Sequence, residues 1–226
     1  MRRRLRVLAL ELAHHLPYTI VSSLMAMVAV WYFGLMQMQQ HPNSTWVSEV
    51  RWSFHVLHPL HVCISAITTT AVFWHFDRKL AKALWFGVFG SVIPCGFSDY
   101  IVPFIGGKVL GQQMQLHICL IEHPMLVLPF LLLWLLGGVV FEERISGGSV
   151  FSHGAHVFVS SLAALLYLVS FGFTGWMMDV RLVFPVLLVV VAAVWIPCCF
   201  SDIVIPVSAL HEPSHGRRRP VSRPAV

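Results

Sequence analysis

Long apolar runs separated by short polar connections dominate the pattern of hydrophobic and polar positions along the chain. An α-helix needs about 20 apolar residues to cross the hydrocarbon core of a bilayer, and each run approaches or exceeds that length. The pattern therefore predicts an all-α integral membrane protein with six transmembrane helices, at residues 17–36, 54–74, 84–105, 114–140, 153–173 and 182–209.

Two sequence signatures occur twice. Residues 93–99 read Ile-Pro-Cys-Gly-Phe-Ser-Asp, and residues 196–202 read Ile-Pro-Cys-Cys-Phe-Ser-Asp. Each copy follows a segment of the form His-x-x-His-Val, at residues 58–62 and 153–157. The chain therefore contains an internal repeat. Because the repeated residues include His, Cys and Asp within apolar runs, the repeat predicts a duplicated polar site inside a membrane.

Composition and charge distribution agree with this class of protein. Hydrophobic residues make up 57% of the chain and charged residues 11%, which excludes an ordinary soluble domain. If the N-terminus is inside, the outer connections hold only Arg51, Lys108 and Arg181 of the 15 Lys and Arg residues. Basic residues concentrate on the cytoplasmic side, so both termini are predicted in the cytoplasm, with the protein multi-pass in a bacterial inner membrane. The net charge of +5 is then explained by basic residues that anchor the topology and attract anionic membrane lipids, and no nucleic-acid partner is expected.

In this topology the two copies of the repeat run in opposite directions through the membrane. The first copy is expected to place its polar residues toward the outer face, and the second toward the cytoplasm. Inverted repeats of this kind are common in secondary transporters. The chain is predicted to consist of two inverted three-helix repeats, at residues 1–110 and 111–209, and a disordered basic cytoplasmic tail at residues 210–226.

The repeated polar residues are spaced as metal ligands on helices would be. Residues three or four apart share one face of a helix, which fits both the His pairs and the Cys–Asp pairs. Imidazole, thiolate and carboxylate are the groups that zinc and other late first-row divalent ions select. We therefore expect a zinc-like or other transition-metal ion at two sites. The outer site would use His58, His61, Cys95 and Asp99, and the inner site His153, His156, Cys198 and Asp202, with His117, Glu122 and His123 as further ligands or proton acceptors.

Two other features favour a functional interior at these positions. A carboxylate at the centre of a membrane helix costs about 2.5–3.5 kcal/mol on insertion scales, so such residues usually face protein or an aqueous path. Pro94 and Pro197 directly precede the repeated cysteines. Proline removes a backbone donor, so both helices are expected to be irregular beside the polar residues.

These observations favour a permease for a divalent or soft heavy-metal cation, with proton coupling through the histidines. The alternatives are an integral-membrane, His-rich metalloenzyme and a non-catalytic subunit of a membrane complex; a homo-oligomer is also compatible with the small size. The sequence contains no nucleotide-binding glycine loop and no nucleophile elbow. An enzyme is thus the less favoured class, and transport would run on gradients or on a partner's energy.

Overall fold

The computed structural model describes residues 2–40, 46–145 and 150–199. Asp202, the predicted tail at residues 210–226 and the side chain of His153 lie outside the described part. All regular elements in the described ranges are helical, which confirms the all-α prediction there. The helices are α1 (Arg2–Gln40), α2 (Trp46–Phe76), α3 (Leu80–Gly96), α4 (Val102–Val109), α5 (Cys119–Glu122), α6 (Pro124–Val140), α7 (Glu142–Ile145), α8 (Val150–Ser170) and α9 (Val180–Cys199).

Four helical segments of the described chain are long and apolar enough to cross a membrane. They are His15–Gln40, Trp46–His75, Leu80–Val109 and Val180–Cys198. Two further apolar helices, Pro124–Val140 and Gly154–Ser170, are shorter. A helix of 17 residues such as α6 spans only about 26 Å, slightly less than the ~30 Å hydrocarbon core. The protein is thus compatible with a membrane, and the count of six spans stays a prediction.

The predicted fourth helix, at residues 114–140, is only partly helical. Residues 112–118 are not helical, and the chain resumes with the short α5 before α6 begins at Pro124. Backbone groups in this connection find partners outside their own segment: Gln115 N–H donates to Phe171 O, and His117 N–H donates to the Tyr167 hydroxyl. The connection therefore satisfies backbone groups through α8 and the residues after it, which sequence periodicity does not reveal.

α2 and α8 lie at the centre of the helix bundle. α2 packs against α3, α6 and α8, and α8 also packs against α1 and α9. At one end of the bundle, Arg51 donates a hydrogen bond to Ser170 O; we call this the Arg51 end. At the opposite end, Glu142 forms ion pairs with His75 and Arg78; we call this the Glu142 end. Arg51 lies near the start of α2 and Ser170 at the end of α8, so the two helices are antiparallel.

Small residues allow these helices to approach closely. A Cβ atom added at Gly138 of α6 would lie 2.7 Å from the Ile67 carbonyl oxygen of α2, so this contact requires glycine. Between α1 and α8, the Ser23 and Ser161 hydroxyls form a buried hydrogen bond of 3.2 Å. Glycine and serine contacts of this kind are typical of helix packing in membranes.

A π-helical turn at Phe97–Ile101 joins α3 to α4 and interrupts regular helix geometry directly after Pro94 and Cys95. Its wider turn leaves three successive side chains buried, namely Ser98, Asp99 and Tyr100. π-turns inside α-helices are frequent at functional sites. The irregularity expected beside the first repeated motif is therefore present, as a π-turn. It directs Asp99 into the bundle.

Candidate metal centre

Asp99 lies at the centre of a buried polar cluster between α2, α8 and the π-turn, and its carboxylate accepts most of the hydrogen bonds in that cluster. Its carboxylate lies 2.8 Å from His58 Nδ1 and 2.8 Å from His61 Nδ1. The Ser98 hydroxyl donates to the same carboxylate over 2.7 Å. Because a carboxylate only accepts hydrogen bonds, the protons of both histidines lie on Nδ1 in this arrangement. In a neutral imidazole with its proton on Nδ1, the lone pair of His61 lies on Nε2.

That Nε2 atom faces α8, which carries the second His-x-x-His segment. His61 Nε2 lies 2.8 Å from His156 Nε2, which places equivalent residues of the two His-x-x-His segments in contact. Cys95 Sγ lies 3.7 Å from His61 Nε2. One nitrogen each of His61 and His156 and the Cys198 sulfur lie within 4.8 Å of one another, and all three residues are buried. We call His61, His156 and Cys198, with Cys95 and Asp99 beside them, the central cluster.

The distances in the central cluster suit a tetrahedral transition-metal ion. With metal–nitrogen distances of about 2.0–2.1 Å, two tetrahedral ligand nitrogens lie about 3.4 Å apart, so small side-chain shifts from 2.8 Å suffice. Metal-bound histidines usually donate their other ring N–H to a carboxylate, which orients the ring. Asp99 has this relation to His61. The donor set of two imidazoles and the Cys198 thiol therefore fits a zinc-like ion.

Hydroxyl groups surround the central cluster and connect α8 to the π-turn and to α9. The Ser160 hydroxyl of α8 donates across the interface, 3.3 Å from Ser98 Oγ and 3.4 Å from Asp99 Oδ1. The Cys198 thiol lies 3.6 Å from Ser160 Oγ. Neither serine was among the residues predicted from sequence. The spacing His156–Ser160 matches His61–Ser65, which was the available signal.

The predicted separation into an outer and an inner site is wrong for the described residues. His61 and Cys95 belong to the first set and His156 and Cys198 to the second, yet they meet in one cluster. The reason is the position of α2, which begins at Trp46, whereas the hydrophobic pattern predicted a start at residue 54. His58 and His61 therefore lie in the middle of their helix. The side chain of His153 and all of Asp202 lie outside the described part.

The three further candidates, His117, Glu122 and His123, gather at the Arg51 end. His117 Nδ1 lies 2.9 Å from Glu122 Oε2, and its Nε2 lies 3.1 Å from His55 Nε2. The His123 ring centroid is 4.7 Å from that of His55. Burial lowers the pKa of His117, while Glu122 acts to raise it. His55 was not predicted from the sequence, although its place three residues before His58 puts it on the same helix face.

Comparison with known proteins yields no relative: neither a protein family, nor a curated protein, nor a solved structure matches this chain. The chemistry of the central cluster therefore follows from its own residues. They are a buried set of soft and borderline ligands with an orienting carboxylate, and they could hold a metal ion.

Proposed function

We propose that this protein is a six-helix permease for a divalent or soft metal cation in a bacterial inner membrane, with both termini in the cytoplasm. The observation that carries the proposal is the contact between His61 and His156, with Cys198 beside them, deep in the bundle. The two histidines come from the two copies of the repeated segment. A cation bound between them would be held by both halves of the molecule.

A binding site between two inverted repeats is the arrangement that alternating access uses. When one half rocks against the other, a site at their interface opens first to one side of the membrane and then to the other. His61 and Cys95 belong to residues 1–110, and His156 and Cys198 to residues 111–209. Movement between the halves would change the distances between these pairs, and so loosen the ion.

Each residue of the central cluster has a distinct role in this proposal. His61, His156 and Cys198 bind the ion. Cys95 lies beside them and replaces one of them as a ligand when the site opens. Asp99 does not bind the ion but holds His61 and His58 through their Nδ1 atoms. Its negative charge, together with that of a thiolate, offsets the charge of a divalent cation in a poorly solvated site.

Proton coupling follows from the same ligands. An imidazole lone pair or a thiolate binds either a proton or a metal ion, so metal binding releases protons and protons displace metal. Ion movement in one direction would then be linked to proton movement in the other. The permease would then draw on the proton gradient.

Transport by the purified protein in proteoliposomes tests the proposal. We expect uptake of zinc or a similar cation into vesicles containing wild-type protein, and loss of at least nine-tenths of that rate in His156→Ala and Cys198→Ser. Cys63→Ser is the matched control, because Cys63 is a buried α2 thiol that takes part in neither His/Cys grouping. Unchanged uptake in His156→Ala, with normal folding, would remove the central cluster from the transport path.

One observation favours a metalloenzyme as the second candidate. An apolar groove of about 420 Å³ lies between α3 and α9, and its lining includes Pro94 and Pro197, the residues directly before Cys95 and Cys198. A lipid-soluble substrate in this groove would lie close to a metal in the central cluster. Narrowing the groove by Gly90→Leu would then block turnover of that substrate, whereas a permease would keep its ion uptake. Equal ion uptake by wild-type and Gly90→Leu vesicles would therefore favour the permease, and no ion uptake by either would favour the enzyme.

A further inference from the structure

A second group of potential ligands lies at the Arg51 end of the bundle, separate from the central cluster. His55, His117 and Cys119 each offer one ligand atom within 4.8 Å of the others. Cys119 is fully buried, His117 is nearly so, and His55 is partly exposed. The group joins α2 to the connection before α6, two elements that only the tertiary structure brings together.

The arrangement of this group repeats that of the central cluster. In the central cluster a carboxylate holds His61 through Nδ1, and His61 Nε2 faces His156 Nε2. At the Arg51 end, Glu122 holds His117 through Nδ1, and His117 Nε2 faces His55 Nε2 at 3.1 Å. In both places a buried cysteine completes the set. The Nε2 separation is close to the ~3.4 Å expected for two nitrogens on a tetrahedral metal.

We infer that His55, His117 and Cys119 form a second binding site for a zinc-like divalent cation, with Glu122 orienting His117. His123 lies beside the site, with its ring centroid 4.7 Å from that of His55, and supplies the fourth ligand or leaves that position to water. Open coordination positions are typical of metal sites that exchange their ion or act on substrate. Glu122 and His123 are both exposed, so the site is reached from the Arg51 end without passing the central cluster.

The second site has a direct connection to the first. His55, His58 and His61 follow one another at three-residue intervals on α2, so the two sites are about 9 Å apart along the helix axis. His58 lies between them and contacts Asp99. A cation binding first at His55 and His117 would have a short path to His61. The role of this site as the first binding site on the transport path rests on the proposed permease function. The binding of an ion at His55, His117 and Cys119 does not.

Metal counting on the full-length protein tests the inference. Purified protein in detergent is equilibrated with zinc, freed of excess ion, and analysed for zinc per chain. We expect two zinc ions in the wild type and in the Cys63→Ser control, and one in Cys119→Ser or His55→Ala. The ion that remains in these variants shows that the protein is folded. A wild type with a single ion that Cys198→Ser removes and Cys119→Ser does not would overturn the inference.

Cobalt substitution identifies the ligand directly. Cobalt bound to a thiolate gives a sulfur-to-metal charge-transfer absorption, and Cys119→Ser should remove one part of that absorption while Cys63→Ser leaves it intact. An unchanged spectrum in Cys119→Ser would exclude the site. Glu122→Gln should keep the ion at saturation but weaken its affinity about 10–100-fold, as loss of an orienting carboxylate does. Equal zinc affinity in Glu122→Gln and wild type would contradict the assigned orienting role.

Failure of the second site and failure of the proposed function give different results. If two ions bind and no vesicle transports zinc, the permease proposal fails and the second site stands. If zinc uptake depends on His156 but the wild type holds only the central ion, the second site fails and the permease stands. If the second site and the permease function both hold, His55→Ala should raise the KM for zinc uptake several-fold with a smaller change in kcat. The substitution weakens the first binding of zinc but leaves the ligands of the central cluster in place.

Discussion

Replacing Asp99 by Asn tests whether one buried carboxylate organises the central cluster. The substitution keeps the size of the side chain but exchanges one hydrogen-bond acceptor for an NH₂ donor. Asp99 accepts from His58, His61 and Ser98 over 2.7–2.8 Å. An amide oxygen cannot serve all three, so at least one donor loses its partner. A hydrogen bond to a charged group contributes about 1.5–3 kcal/mol, and we expect a loss of unfolding free energy in that range.

The effect on metal binding should be larger than a general loss of stability explains. Without the carboxylate, His61 is no longer held with its proton on Nδ1 and its lone pair on Nε2, and zinc affinity should fall about 10–100-fold. Competition against a chromogenic chelator measures the affinity of the detergent-purified protein, and a thermal unfolding curve measures stability in the same sample. Asp179→Asn is the matched control, because Asp179 is exposed in the turn before α9 and accepts from Arg181 N–H. A folded Asp99→Asn protein with wild-type zinc affinity would refute the orienting role.

Three further predictions concern the packing that holds the site. Gly138→Ala should lower Tm clearly because its Cβ would meet the Ile67 carbonyl at 2.7 Å, whereas the control Gly137→Ala meets only the Ile67 side-chain end at 3.4 Å; equal Tm values would contradict the close α2–α6 contact. Gly172→Ala should lower the free energy of unfolding more than Gly111→Ala does. Both glycines have a positive φ, which costs a residue with a side chain about 1–3 kcal/mol, but only at Gly172 would the added Cβ also collide with Gln113 O. Thermal unfolding of the two variants measures the difference. Glu142→Gln should lower Tm by the equivalent of about 1 kcal/mol or less, because its partners His75 and Arg78 are about half exposed and water screens both ion pairs. Zinc stoichiometry should stay unchanged, and a lost zinc ion would show that the Glu142 end also affects the metal centre.

The sequence indicated which residue types the candidate site contains but not how these residues assemble. The repeated motifs drew attention to His61, Cys95, His156 and Cys198, because such groups are rare in apolar helices, and the structure brings these residues close together. Their division into two sites depended on where α2 begins. Apolar patterning locates the middle of a helix better than its ends, and α2 continues through polar residues to Trp46.

The second group of ligands shows a different limit of prediction from the sequence. His55 and Cys119 lie 64 positions apart in the sequence and belong to no repeated motif. Their approach depends on the non-helical connection at residues 112–118, whose backbone bonds to Phe171 and Tyr167. Long-range partners of this kind replace local helical bonds, so helix periodicity in one segment cannot predict them.

The sequence by itself determined the helical class, the compatibility with a membrane and the chemical type of the candidate ligands, because apolar run length and residue chemistry are local properties. Only the tertiary structure decided that His61 and His156 face each other, that Asp99 orients the histidines, and that His55 joins His117. Each of these facts depends on the direction of a side chain relative to another helix. That direction is set by helix packing, glycine contacts and the π-turn at Phe97–Ile101, which act over the whole bundle.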